Sequence, residues 1–208
     1  MKKSLVLGIL GLATAAVTSY GQGLITLDNY NSHGGSGGGP IIAFGAGVPL
    51  DGVGGALGTI GAGIGTSWTV GIYFVVGTPV VNDPAGSGLP DAQLGLGAGT
   101  GSTVQAGVYG GGFYLSATPF MVNSSGSPAT ITAEIVAYPT AVGSYAAALN
   151  RGHSAPFVMT SVDPLTPTKP LTGNFMAGFS VLPVPEPTTL ALGGLGGLAL
   201  LLLRRKQS

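Results

Sequence analysis

The stretch SWTVGIYFVVG, residues 67–77, restricts the fold of this chain more than any other. Trp68, Val70, Ile72, Phe74 and Val76 recur at every second position, with Thr69, Gly71, Tyr73 and Val75 between them. Period two places the first set on one face of a β-strand, and a face carrying Trp, Ile and Phe must be buried. A second alternating run, TITAEIVAY at 130–138, sets Ile131, Ala133, Ile135 and Ala137 against Thr132, Glu134, Val136 and Tyr138, as a strand with one wetter face would. Further strands are expected at 24–27, 41–44, 104–109, 113–116, 157–162 and 175–181, each bounded by Gly, Pro, Asn or Ser. One short helix is expected at 143–152, with Ser144 as N-cap and Gly152 as its stop. No strand–helix alternation of the kind that builds parallel sheets is visible, so the expected fold is all-β: a β-sandwich or jelly roll with at most one short helix.

Composition narrows the functions open to such a body. The chain has 39 Gly in 208 residues and only 7% charged side chains, about threefold fewer charges than an average globular domain. Its 45% apolar content argues against disorder driven by charge. From residue 22 to 184 the two cations Arg151 and Lys169 face six carboxylates, Asp28, Asp51, Asp83, Asp91, Glu134 and Asp163, a formal charge of −4. No basic patch remains to neutralise phosphates, so nucleic acid is not an expected partner. With no Cys, disulfides and thiolate zinc sites are excluded, and the core must hold itself together.

The two ends are more informative than the middle. Lys2 and Lys3 precede an apolar run at 5–17, and Ser19 and Gly21 place small residues at the −3 and −1 positions of a cleavage site before Gln22. This is the layout of a secretory signal peptide over 1–21. At the other end, residues 188–203 carry no charge and include eight Leu. As a helix they would span about 24 Å against a hydrocarbon core of about 30 Å, so the expected C-terminal transmembrane helix is a marginal one. Arg204, Arg205 and Lys206 follow it as a membrane stop and belong on the cytoplasmic side, which puts the body outside. Just before the helix, Pro185 and Pro187 hold Val184-Pro185-Glu186-Pro187 extended, with Glu186 as its one charged handle.

These three parts, in this order and behind a signal peptide, resemble the PEP-CTERM sorting signal of exported Gram-negative bacterial proteins. The resemblance covers residues 184–208 and implies recognition through Pro185, Glu186 and Pro187 by an exosortase, a membrane enzyme of the transpeptidase type. It further implies transient residence in the inner membrane and delivery to the cell surface or an exopolysaccharide matrix. Any catalytic residues of that processing belong to the exosortase. For the body, 22–183, the resemblance implies no activity.

The body has little visible chemistry. Residues 34–38, GGSGG, match G-x-S-x-G formally, but lie in a Gly loop with no helix behind to form a nucleophile elbow. His33 and His153 are far apart in sequence, without carboxylates at ligand spacing, and are expected at the surface or in turns. Asp28 to Asn31 offer oxygen ligands without an EF-hand pattern, so an ordinary polar turn is preferred to a calcium site. The Gly clusters at 61–65 and 95–99 do not fit G-x-G-x-x-G. Asn123-Ser-Ser is a formal glycosylation sequon. Trp68 and the tyrosines Tyr73, Tyr109, Tyr114, Tyr138 and Tyr145 could stack on sugars, yet aromatics at strand spacing are more often core. The expected function is therefore that of a non-enzymatic surface or matrix protein with no catalytic residue, metal or cofactor; a glycan-binding module is the alternative, and an exported hydrolase a third.

Overall fold

The computed structural model describes residues 23–34, 37–78, 97–98, 102–103, 111–116, 119–123 and 128–184. Its spine is one antiparallel pair. β3 (Trp68–Val76) runs beside β7 (Thr130–Pro139) in unbroken register from Trp68↔Pro139 to Val76↔Ile131. β2 (Ile42–Phe44), β8 (Asn150–His153), β10 (Phe179–Pro183) and the short β4 (Gly97–Ala98) extend this pair in the order β2-β10-β8-β7-β3-β4. Two more strands join it off that path: β5 (Ser102–Thr103) on β3, and β9 (Phe157–Thr160) on the first half of β7. A separate two-stranded sheet pairs β1 (Gly23–Ile25) with β6 (Phe120–Asn123).

Period two decides which face is buried. Trp68, Val70, Ile72, Ile131, Ala133, Ile135 and Ala137 all enter one core, which also takes Ile25 and Val122 from the smaller sheet. Trp68 is fully buried, meets Phe44 edge-on at 6.0 Å between centroids, and donates its indole N–H to the Leu50 carbonyl at 3.0 Å. The opposite face of the β3–β7 pair is also covered. Tyr73, Val136 and Tyr138 pack there against Tyr145, with Tyr145 edge-on to Tyr73 at 5.8 Å. The fold is all-β, with helical structure among the described residues limited to three-residue 3-10 turns at Ser32–Gly34, Thr140–Val142 and Thr172–Asn174.

The expected helix at 143–152 is a correction. Ser144 does cap, accepting the Ala147 N–H at 3.4 Å, and Ala148 donates to the Tyr145 carbonyl, but the winding stops after that turn. Residues 150–153 are instead strand β8, because they have partners on both sides: Val136↔His153 and Ala137↔Gly152 on β7, Leu182↔Arg151 and Pro183↔Asn150 on β10. Sheet hydrogen bonds on two flanks outweigh the weak helix propensity of so short a segment. The strand expected at 175–181 begins only at Phe179, since Phe175 and Met176 donate back to Thr172. β2 and β10 pair in parallel, Phe179↔Ile42 to Val181↔Phe44, although the sequence shows no parallel unit. Their connection is nearly the whole body. The strand expected at 104–109 lies outside the described residues.

Glycine permits close backbone approach at particular places. A Cβ on Gly63 would overlap the Gly111 carbonyl, and one on Gly111 the Gly63 carbonyl, so the 61–65 cluster serves packing here.

Asn29 holds three segments together. Fully buried, its Nδ2 donates to the Pro40 carbonyl at 2.7 Å and the Gly112 carbonyl at 3.0 Å, while its Oδ1 accepts the Tyr114 N–H at 2.6 Å. The Gly112 carbonyl also accepts from Ile42 N–H, so Asn29→Ala strips a partner mainly from the Pro40 carbonyl and the Tyr114 amide. At about 1–3 kcal/mol for each buried group left unmade, the variant should lose roughly 2–4 kcal/mol of stability, read as a lower urea midpoint.

Candidate functional site

Two places carry groups that could have a role: the exit of the chain from β10, and the covered second face of the main sheet. At the exit, β10 ends at Pro183 and the Val184 N–H donates to the Leu149 carbonyl at 2.7 Å. Only Val184 separates that strand from Pro185. The body thus hands its last sheet strand almost directly to the C-terminal segment. Pro185, Glu186, Pro187, the apolar run 188–203 and Arg204, Arg205 and Lys206 lie outside the described residues, as do Gly21 and Gln22 of the expected signal cleavage. No helix among the described residues is long and apolar enough to cross a membrane.

On the second face, register brings together residues that the sequence scatters. Tyr73 on β3, Glu134, Val136 and Tyr138 on β7, and Arg151 and His153 on β8 point to the same side. Arg151 Nη1 donates to the carbonyls of Tyr145 at 2.6 Å and Ala146 at 2.9 Å, and its guanidinium lies 4.7 Å from the Tyr145 ring centroid. Arg151 therefore clamps the 144–149 turn over the sheet through charge-assisted hydrogen bonds and a cation–π contact.

His153 is not a surface residue. It and Glu134 are fully buried, with His153 Nδ1 3.4 Å from Glu134 Oε2 and 2.9 Å from the Ser154 carbonyl oxygen. A carbonyl can only accept, so Nδ1 is the donor in that contact. The neighbouring Ser154 is equally buried, and its Oγ accepts the Ile135 N–H at 3.0 Å. A serine, a histidine and a carboxylate are thus near one another, but as folded none of them meets solvent. The sequence reading missed this pair because Glu134 and His153 are nineteen positions apart and meet only through the β7–β8 register.

The remaining candidates resolve into structure. His33 is exposed, with its N–H donating to Asn174 Oδ1 at 2.8 Å. Asp28 is buried, and its two carboxylate oxygens accept the Asn31 N–H at 2.9 Å and Asn31 Nδ2 at 2.8 Å, closing an Asx-type turn. Among the described residues no three His, Cys, Asp or Glu side chains gather as a metal site would need. Gly35 and Ser36 of the G-x-S-x-G match, and Ser124 and Ser125 of the sequon, lie outside the described residues. Trp68, Tyr114 and Tyr145 are buried in the fold, and Tyr109 lies outside the described residues.

A β-rich body running straight into a terminal sorting segment defines the class of protein: one whose destination is written in its tail. A family model described as the PEP-CTERM protein-sorting motif matches residues 183–206, so the chain carries that motif, as an exosortase substrate does. The match opens on the last residue of β10 and closes on Lys206. The motif supports export to the cell envelope or surface in a Gram-negative bacterium, with an exosortase as the processing partner. No curated protein and no solved structure matches the chain.

Burial pushes the Tyr114 phenol well above its ordinary value of about 10, since its charged form would be stranded in the core; the hydrogen bond with Thr172 opposes that rise and the charge of Asp28 adds to it. The folded state thus binds a proton that the unfolded chain releases near pH 10. This part of the stability is complete below that pH and is lost as the pH rises further. Urea unfolding between pH 8 and 11 should show stability falling at the alkaline end. Tyr114→Phe should be less stable at pH 8, having lost the hydroxyl contact to Thr172 Oγ1 at 3.0 Å, but should fall less steeply.

Proposed function

We propose that this is a non-enzymatic surface or matrix protein, exported behind its N-terminal signal, held briefly in the inner membrane by residues 188–203, and released or transferred by an exosortase. The observation that carries the export and sorting in this reading is the PEP-CTERM match over residues 183–206. Its position against the end of β10 adds support: the sheet finishes where the motif starts. In this reading Pro185 and Pro187 keep the backbone extended for the enzyme. Glu186 supplies the one charge on that peptide, and Arg204, Arg205 and Lys206 stop the helix at the cytoplasmic face. The body is cargo. A β-sandwich is its finer architecture, an inference supported by side chains of both sheets meeting in one core.

Glu186→Ala tests the role of the handle. In cells of the source type, the variant should still be exported and inserted, but full-length precursor should build up in the inner-membrane fraction while the surface form disappears. Normal surface delivery of Glu186→Ala would remove Glu186 from the recognition step.

A further inference from the structure

Strand directions sort the loops of the body onto two ends of the main sheet. β10 ends at Pro183; β2 is parallel to it, while β8 is antiparallel, β7 antiparallel to β8, and β3 antiparallel to β7. The end of β2, the start of β3, the end of β7 and the start of β8 therefore all lie at the rim where Val184 leaves. The loops on that rim are residues 45–61, before the chain turns back antiparallel along β2 at 62–64, and residues 140–149. Direct contacts tie them together: Asn150 Nδ2 donates to the Gly52 carbonyl at 2.8 Å, and Val184 N–H to the Leu149 carbonyl at 2.7 Å.

These two loops are unusually apolar for exposed structure. Of the nine large hydrophobic side chains exposed among the described residues, five lie here: Leu50, Val53, Leu57, Ile60 and Leu149, from 51% exposed at Leu50 to 69% at Ile60. Asp51 is the one carboxylate in either loop, and no cation is present. Its carboxylate is turned onto its own loop, accepting the Val53 and Gly54 amides at 3.0 and 2.9 Å. The opposite end exposes Val76, Leu165 and Phe175 as well, but it also carries Lys169, the one cation among the described residues that is not buried. There Lys169 Nζ donates to the carbonyls of Asp163, Pro164 and Thr166, and His33 N–H to Asn174. Large apolar side chains left exposed together on one rim mark an interaction site.

We propose that this rim rests on the lipid surface of the membrane into which the sorting segment inserts, so that the body is docked, not merely tethered, while it awaits processing. The proposal rests on the membrane-held sorting segment described under Proposed function. Tether length chooses the occupant. From Val184 to residue 188 there are four steps of chain, which reach about 14 Å at most when extended. The headgroup zone takes up about 5–8 Å of that on each side of the hydrocarbon core. A rim around the tether's origin is then held within about 6–9 Å of the headgroups at most, close enough for Leu, Val and Ile side chains to enter the interface.

The chain has no Cys, so single labels can be placed cleanly. The full chain carrying Val53→Cys, Leu149→Cys, Leu165→Cys or Leu195→Cys would be labelled with an environment-sensitive fluorophore. Each would be reconstituted into phosphatidylethanolamine/phosphatidylglycerol vesicles with and without lipids bearing a quencher on the acyl chain. Leu165 lies at the end away from the tether, and Leu195 within the sorting segment. Blue-shifted, lipid-quenched emission at 53, 149 and 195, with unshifted and unquenched emission at 165, is the expected result. Quenching at 195 with none at 53 and 149 would leave the sorting segment in the membrane and overturn the docked rim. An equal blue shift at 53 and 149 in detergent, with no quenching by lipid, would assign the rim to a second copy of the chain and overturn the proposal. No quenching at 195 would overturn both the membrane-held segment and the docking that rests on it.

Discussion

The β3–β7 pair carries the rest of the molecule. Its register, unbroken from Trp68↔Pro139 to Val76↔Ile131, fixes which side chains face each way over the longest strands of the fold. One face feeds the main core; the other needs a cover, which the 144–149 turn supplies. A one-residue slip would turn every side chain of one strand to the wrong face, putting Glu134 into the apolar core and Ile135 out of it. Every other strand of the main sheet takes its position from this pair. So does the route of the chain out of the body, because β8 aligns on β7 and β10 on β8.

The second face shows how a chain with few charges uses those it has. Arg151, Glu134 and His153 are all buried, an unusual place for ionisable groups. Arg151 fastens the covering turn through two carbonyls and the Tyr145 ring. His153 links Glu134 to the Ser154 carbonyl, and Ser154 in turn takes a backbone amide of β7. These groups bind the turn and β8 to the sheet beside the cluster of Tyr73, Val136, Tyr138 and Tyr145. A chain without disulfides has few other ways to pin a long connection.

The sequence was most legible where a periodic pattern or a contiguous motif carries the information. Alternation at 67–77 and 130–138 located β3 and β7 and the core-facing side of each, but the face of Thr132, Glu134 and Val136, expected to be the wetter one, is buried too, and Val76 at the end of β3 is exposed; the Pro-Glu-Pro run with its apolar and basic neighbours revealed the sorting motif. Legibility failed where partners are distant in sequence. Asn150–His153 reads locally as the end of an alanine-rich helix, and only β7 and β10 on either side make it a strand. Asn29 looks like one polar residue in a turn, yet it joins Pro40, Gly112 and Tyr114. His153 looked like a surface residue because nothing near it in sequence announces Glu134. The parallel β2–β10 pair, joining the two ends of the body, leaves no local trace at all.

That last pair gives the tail its setting. β10 is an inner strand, flanked by β2 and β8, so the segment that follows it starts from a fixed point on the fold rather than from a loose terminus. The central claim is that this segment is an address read and processed by another enzyme while the body travels as cargo. Intact-mass measurement of the mature protein, taken from its native cell envelope, tests it most directly. The account predicts a species that has lost its N-terminal signal and everything beyond the Pro-Glu-Pro region. A mature protein whose C-terminus is still Ser208 would contradict it and make the tail a permanent anchor.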